Sequence, residues 1–429
     1  MVRFFLGSCL LLVACGVGKA FAYKDGVHVE ISKKLYSQLE FVCAYERINE
    51  LPGEVDMIFQ HARWIQKNNQ LKRDVRVNAE VERLYRIAAE QGHYKANINL
   101  QNGAMRGAFK LRGKEHLRFS EQLISARIAS GYLFVAYFLQ QGSAGLKEDK
   151  DMALKYYRKA ADEGSAQAQY YIGDKLDPVG VAPAIAARMY RCAAEQMHGK
   201  AAVALGIIHQ SNGEYREALE ILQLGVAGGN ESAAWRLSQA FQYQPAEDMY
   251  YLGQVEDPER AERYKKISRI LSGYSYADPK VPEINDIVPL PPAKLPPWDG
   301  KLQWLEERLA NIPPEKPSEA LIQRLAKEKL LDPATGRPLP ASPHFIKADN
   351  QPPLICTSGE ACPQSGYWKL IGLAHPGWYY RGHPEIRLFK EGEPLPTRVI
   401  ALGYPRLWPL PDRVTRNEEI VRWAFYGEA

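Results

Sequence analysis

The chain has 429 residues, 46% hydrophobic and 24% charged, enough to bury full cores in two or more domains. Its formal net charge is +5, and no basic tract carries interleaved aromatics, so the composition excludes an ordinary nucleic-acid binder.

At the start, Arg3 precedes an apolar run over 4–18, then Lys19-Ala20-Phe21-Ala22 leads into polar Tyr23-Lys24-Asp25. A positive start, a short apolar stretch and a small-x-small site are the parts of a secretion signal, so residues 1–22 predict export. The run is shorter than the ~18 residues that cross a bilayer, and no later segment reaches that length. Leu12-Val13-Ala14-Cys15 resembles a bacterial lipobox. Two outcomes stand side by side: a lipidated Cys15, which would be the only link to a membrane, or cleavage after Ala22 to give a soluble periplasmic protein. Loss of Arg3 and Lys19 with the signal lowers the net charge to +3.

Residues 23–78 read as further helix, with Val42, Tyr45, Ile58, Trp64 and Ile65 as expected core. Residues 79–276 carry internal repetition: Tyr85-Arg-Ile-Ala-Ala-Glu-Gln-Gly92, Tyr157-Arg-Lys-Ala-Ala-Asp-Glu-Gly164 and Tyr190-Arg-Cys-Ala-Ala-Glu-Gln-Met197. Each is followed by a small anchor (Ala96, Val135, Ala168, Ala201, Ala233) and, four residues on, an aliphatic one (Leu100, Leu139, Ile172, Leu205, Leu237). The aliphatic anchors are 39, 33, 33 and 32 residues apart, and four-residue spacing places each pair on one helical face. Alanine pairs at 88–89, 160–161 and 193–194 allow close helix approach. Gly92, Gly131 and Gly164 fall where helices need left-handed stops. The pattern predicts a helix-turn-helix α-solenoid, with 106–119 as an insertion and Arg127 replacing the first alanine of the second copy. The segment from Asp151 to Gly173 resembles the Sel-like repeat, a relative of the tetratricopeptide repeat. The likeness is also strong over 190–208 and weaker over 85–103 and 221–240.

Composition then changes. Between 277 and 353 there are 16 prolines, which rules out continuous helix or central strand. An extended connecting segment is expected, with helices near 301–310 and 318–331 and with Trp298 and Trp304 docked on the surface. Residues 354–429 read as a small β-rich domain, with strands over 367–374, 385–390 and 398–402 and a helix or strand over 417–425. The predicted fold class is thus mainly α: a solenoid, a Pro-rich segment and a small β-rich end.

Of the six cysteines, Cys9 falls in the signal. In an oxidising compartment, Cys356 and Cys362 are expected to form a short-loop disulfide, while Cys192 reads as a small buried hydrophobe. Cys356, Cys362, His375 and His383 could instead hold zinc, but their spacings are outside the usual structural-zinc patterns, and no metal or cofactor is expected. No phosphate loop, zinc-protease helix or nucleophile elbow is present, so no catalytic residue is proposed.

The turn Cys362-Pro-Gln-Ser-Gly-Tyr-Trp368, with Pro-Pro-Trp298-Asp-Gly and Leu331-Asp-Pro-Ala-Thr-Gly336 upstream, is similar to immunity proteins of type VI secretion systems. The resemblance covers about 77–429 and implies a non-enzymatic protein that neutralises a phospholipase D-like lipase effector in the periplasm. The alternative is a periplasmic Sel-like scaffold that assembles envelope complexes. For binding the toxic lipase, the candidates are Tyr171, Asp174, Arg236 and Gln239, assigned to first helices of repeats, and Trp378, Tyr379, Tyr380 and Arg381 in the β-rich end.

Overall fold

At five turns that join the two helices of a pair, the first helix ends on a residue with positive φ: Gly92, Arg127, Gly164, Met197 and Gly229. In each case the next N–H reaches back to the carbonyl five residues before it: His93 to Ala88, Ile128 to Leu123, Ser165 to Ala160, His198 to Ala193 and Asn230 to Gly225. This closure satisfies the orphan carbonyls of the first helix and launches the second. His93, Ser165, His198 and Asn230 then cap the second helix, each side chain accepting the N–H three residues on.

The computed structural model describes residues 40–111, 113–177, 182–345, 355–373, 385–404 and 413–427. The expected secretion signal with Cys15, the histidines at 375 and 383, and residues 378–381 lie outside them. The described chain divides into two units, 1–346 and 347–429.

In the first unit, α1 (Glu54–Asn69) packs on α2 (Val75–Glu90), which pairs with α3 (Tyr94–Met105). The following pairs are α4 (Gly113–Ser125) with α5 (Ala129–Gln141), α6 (Lys150–Asp162) with α7 (Ala166–Leu176), α8 (Pro183–Glu195) with α9 (Gly199–Ser211), and α10 (Tyr215–Ala227) with α11 (Glu231–Ala240). The helix α12 (Pro258–Gly273) closes the stack. This is a Sel-like α-solenoid. The alanine pairs are fully buried, as are Ala96, Leu100, Ala201, Leu205, Ala233 and Leu237.

The second repeat departs from the expected register. Arg127 is the left-handed turn residue, so the positions four and eight later are Gly131 and Val135 instead of Val135 and Leu139. Gly131 is not a helix stop. It lies inside α5, where an added Cβ would sit 2.7 Å from Ser120 O and 2.8 Å from Ile124 N. Nor is 106–119 an insertion, because α4 begins at Gly113 and buries Phe119 as the repeat's first helix.

Residues 40–52 are not helical. Val42 is 77% exposed and Tyr45 49%, contrary to expectation, while Phe41 and Ile58 enter the core. This strap is held by Cys43, bonded to Cys192 of α8. Cys192 is therefore a disulfide partner as well as a buried residue. Glu46 N donates to Gly164 O (3.1 Å), Gln169 donates to Ala44 O (2.9 Å), and the Glu46 carboxylate accepts from Ser130 N and Oγ.

The Pro-rich stretch packs as part of the same unit. Val281, Ile284, Val288 and Leu302 join the core of α10–α12, and Trp298 packs against it. Past α13 (Ile284–Ile287) and α14 (Gln303–Ala310), α15 (Glu319–Glu328) reaches the other end of the stack. There Ile322, Leu325, Ala326 and Leu331 share a core with Ile58, Val81 and Leu84.

The second unit is a four-stranded antiparallel sheet, order β1 (Ile355–Thr357), β6 (Val421–Gly427), β2 (Gly366–Leu373), β3 (Ile386–Phe389), with a separate pair β4 (Arg398–Tyr404) and β5 (Arg413–Glu419). Trp368 and Leu370 alternate with more exposed residues and bury against Trp423, Val421 and Phe389. Cys356 and Cys362 are free thiols, not the expected disulfide. Burial pushes both thiols up, and the Cys362 Sγ donates to Gln364 O (3.1 Å), which also accepts from Trp368 Nε1 (3.3 Å). That shared carbonyl, rather than a sulfur bridge, organises the turn.

Candidate partner-binding surface

The solenoid offers two kinds of surface, and its own chain occupies much of one. On the first helices, the strap lies on the middle repeats: besides the Cys43–Cys192 bond, Arg158 donates to Glu40 O and the Tyr45 hydroxyl to Glu195. At one end, Gln223 of α10 donates to Val288 O (2.8 Å) and accepts from the Tyr264 hydroxyl (2.6 Å). At the other, Arg83 of α2 pairs with Glu319, and Arg337 reaches Glu82 (3.4 Å). Beneath that contact Arg86, 1% exposed, pairs with Glu82 at 2.9 Å and Glu115 at 2.8 Å. A partner clasping the first helices would meet these segments.

The second helices carry the described candidates. Tyr171 and Asp174 lie on α7, and Arg236 and Gln239 on α11, so their assignment to first helices is corrected. They are repeat-equivalent: Tyr171 and Arg236 stand seven residues after the left-handed turn, Asp174 and Gln239 ten. The same positions in the repeat between them hold Ala204 and Ile207, the latter 38% exposed. One row thus presents a ring, a carboxylate, an aliphatic, a guanidinium and an amide. Tyr171 stacks on Tyr157 (centroids 3.9 Å), with Lys175 Nζ 5.5 Å from its ring. Arg236 lies 5.5 Å over Tyr250. Both rings and their cations are therefore pre-positioned, which lowers the entropy lost on binding.

Beside Arg236 the structure adds residues that the sequence reading missed. Trp235 is 42% exposed, and loop 241–257 exposes Tyr243, Met249 and Val255. Gln210 pins this loop by donating to Met249 O and Tyr251 O, both at 3.0 Å. The available signal was its length, since a long connection in a tightly repeating array is commonly functional. Among the described residues, no cluster of three or more His, Cys, Asp or Glu could hold a metal, and no helix is long and apolar enough to cross a membrane.

A family model described as a domain of unknown function (DUF6396) matches residues 233–339, joining α11 and α12 to the Pro-rich stretch. No curated protein matches. Among solved structures, a Pseudomonas aeruginosa protein titled PA5086 is 26% identical with TM-score 0.46, over 59% of this chain and 95% of its own. The immunity protein Pa5087 of the same organism is 24% identical, TM-score 0.46, with the same coverages. The immunity protein PA5088, also from Pseudomonas aeruginosa, is 23% identical with TM-score 0.48, over 59% of this chain and 94% of its own.

Proposed function

We propose that this chain is an exported immunity protein that binds a type VI secreted phospholipase in the periplasm and blocks its active site. The observation that carries the reading is the second-helix row of exposed Asp174 and half-buried Tyr171, Arg236 and Gln239, on a solenoid whose first helices are largely occupied by its own chain. The Cys-Pro-Gln-Ser-Gly-Tyr-Trp turn at 362–368 supports the family resemblance, and two solved Pseudomonas chains are described as immunity proteins. A Cys43–Cys192 bond suits an oxidising compartment. Occlusion asks no chemistry of the inhibitor, only an interface of at least standard size, roughly 1,600 Å², centred on aromatic and arginine anchors.

Co-expression with a periplasm-targeted cognate lipase tests the proposal. Cells should survive, and the purified pair should inhibit at near one-to-one ratio with both chains intact. Asp174→Arg and Arg236→Glu should each weaken binding at least tenfold, whereas Lys150→Glu, at the exposed first turn of α6, should leave it unchanged. Cell death despite stable, exported protein would overturn immunity and leave the scaffold reading.

A further inference from the structure

Where the Pro-rich stretch crosses the second half of α1, the two enclose a cavity of about 350 Å³. Three cations line it: Arg63 and Lys67 from α1, and Arg308 from α14. Among the described residues none of the three has a carboxylate within ion-pair distance, although most arginines of this unit do. The two acids on the rim do not fill the gap. Asp278 pairs with Lys280 at 3.1 Å, and Glu307 accepts from the Gln303 amide at 2.9 Å. Counting Glu307 against the three cations leaves a surplus of two positive charges.

The cations are also held in place. Arg308 lies 5.4 Å from the Tyr276 ring and 5.6 Å from Trp304, and donates to Gln70 Oε1. Arg63 donates to Gln66 Oε1 at 3.0 Å. Trp64, whose Nε1 donates to Asn311 O (3.3 Å), supplies wall together with Trp304 and Ile312. Burial first, then the charge of Arg308, push the Lys67 ammonium below its ordinary range, with Glu307 opposing and Arg63 reinforcing. The field there is positive, with Glu307 offsetting it in part.

We propose that this cavity is an anion site for a phosphate monoester carried on a small organic body. A monoester has a charge of about −1.5 to −2 at pH 7, which matches the surplus, and a guanidinium fork suits its oxygens. The volume lies at the lower end of the ~300–1,000 Å³ of small-molecule sites, leaving room for a body against the indoles. The site is separate from the second-helix row and does not depend on the immunity reading.

Full-length mature protein would be titrated calorimetrically with glycerol 3-phosphate, inorganic phosphate and succinate, and sedimented with phosphatidylcholine vesicles with and without phosphatidic acid. Glycerol 3-phosphate should bind, succinate at least tenfold more weakly, and the Arg63→Gln/Lys67→Gln double variant at least tenfold more weakly again. Sedimentation with phosphatidic acid vesicles, lost in the double variant, without binding of the soluble ester would place the monoester on a lipid. Binding of the soluble ester with no vesicle retention would make it a free metabolite. If the double variant melts lower than the parent, Arg63→Gln alone, at an exposed position, carries the comparison. Succinate binding as tightly as the ester, affinities unchanged by the substitutions, or no binding in either arm would overturn the proposal.

Discussion

At Gly131 a helix interior lies against the backbone of its neighbour, so the position tolerates no side chain. Gly131→Ala should cost about 1–3 kcal/mol through overpacking, read as a lower urea midpoint with unchanged slope. That glycine also shows why the second repeat misled a reading by period. Most of α5 is buried, including Leu133, Phe134, Val135, Ala136, Phe138 and Leu139, so a one-turn slip leaves every position apolar. Three of the other repeats were legible because an Ala-Ala pair, at 88–89, 160–161 or 193–194, fixes the register of their anchors. His198 gives a second test. Burial, reinforced by Lys200 and Lys280, lowers its pKa to about 4, and the neutral ring accepts from Ala201 N as helix cap. A histidine with a depressed folded pKa contributes stability that is full above the unfolded value near 6.5 and is lost as pH falls toward 4. His198→Asn keeps a cap without the titration, so between pH 7 and 5 its melting temperature should fall less than the parent's.

Among elements, the strap at 40–52 was the least legible, because its partners stand far off in sequence. Val42 and Tyr45 look like core by composition, yet the contacts that fix the strap come from Ser130, Gly164, Gln169 and Cys192. Local spacing favoured pairing Cys356 with Cys362, and only folding brings Cys43 to α8. Peptide mapping without reductant should therefore yield a Cys43–Cys192 link and two free thiols. Closing a loop with separation 149 constrains the unfolded chain by roughly 4–5 kcal/mol in the entropy model, so Cys43→Ser should lower the unfolding midpoint clearly. The prolines were read as barring continuous helix or central strand, with helices expected near 301–310 and 318–331, but they did not reveal that α15 completes the core of the first helices. Its hydrophobic face, Ile322, Leu325 and Ala326, is that of a packed helix. The candidate row was partly legible: its residue types were found, while their place on second helices needed the turn register.

In the solenoid unit, ends that repeat proteins usually leave to fray are joined by one segment. The core around α12 continues through Val288 and Leu302, and the chain then seals α1 and α2 with α15. Stability in an open array is close to a sum over neighbours, whereas here loss of the seal should be felt at both ends. Ile322→Ala with Leu325→Ala should cost about 4–8 kcal/mol together and raise amide exchange in α1 and α2 before the central helices. The β-rich unit has its own core around Trp368 and Trp423 and should hold its exchange protection in that variant. The seal also sets a timetable. Arg83 meets Pro333 only after 250 further residues have been made, so during synthesis the groove of Ile58, Val81 and Leu84 stays uncovered while every later repeat is already able to form. The first helices of the solenoid to be made are the last of that unit to be covered, and a nascent chain stopped before residue 318 should be sticky, chaperone-bound and readily cleaved within α1 and α2.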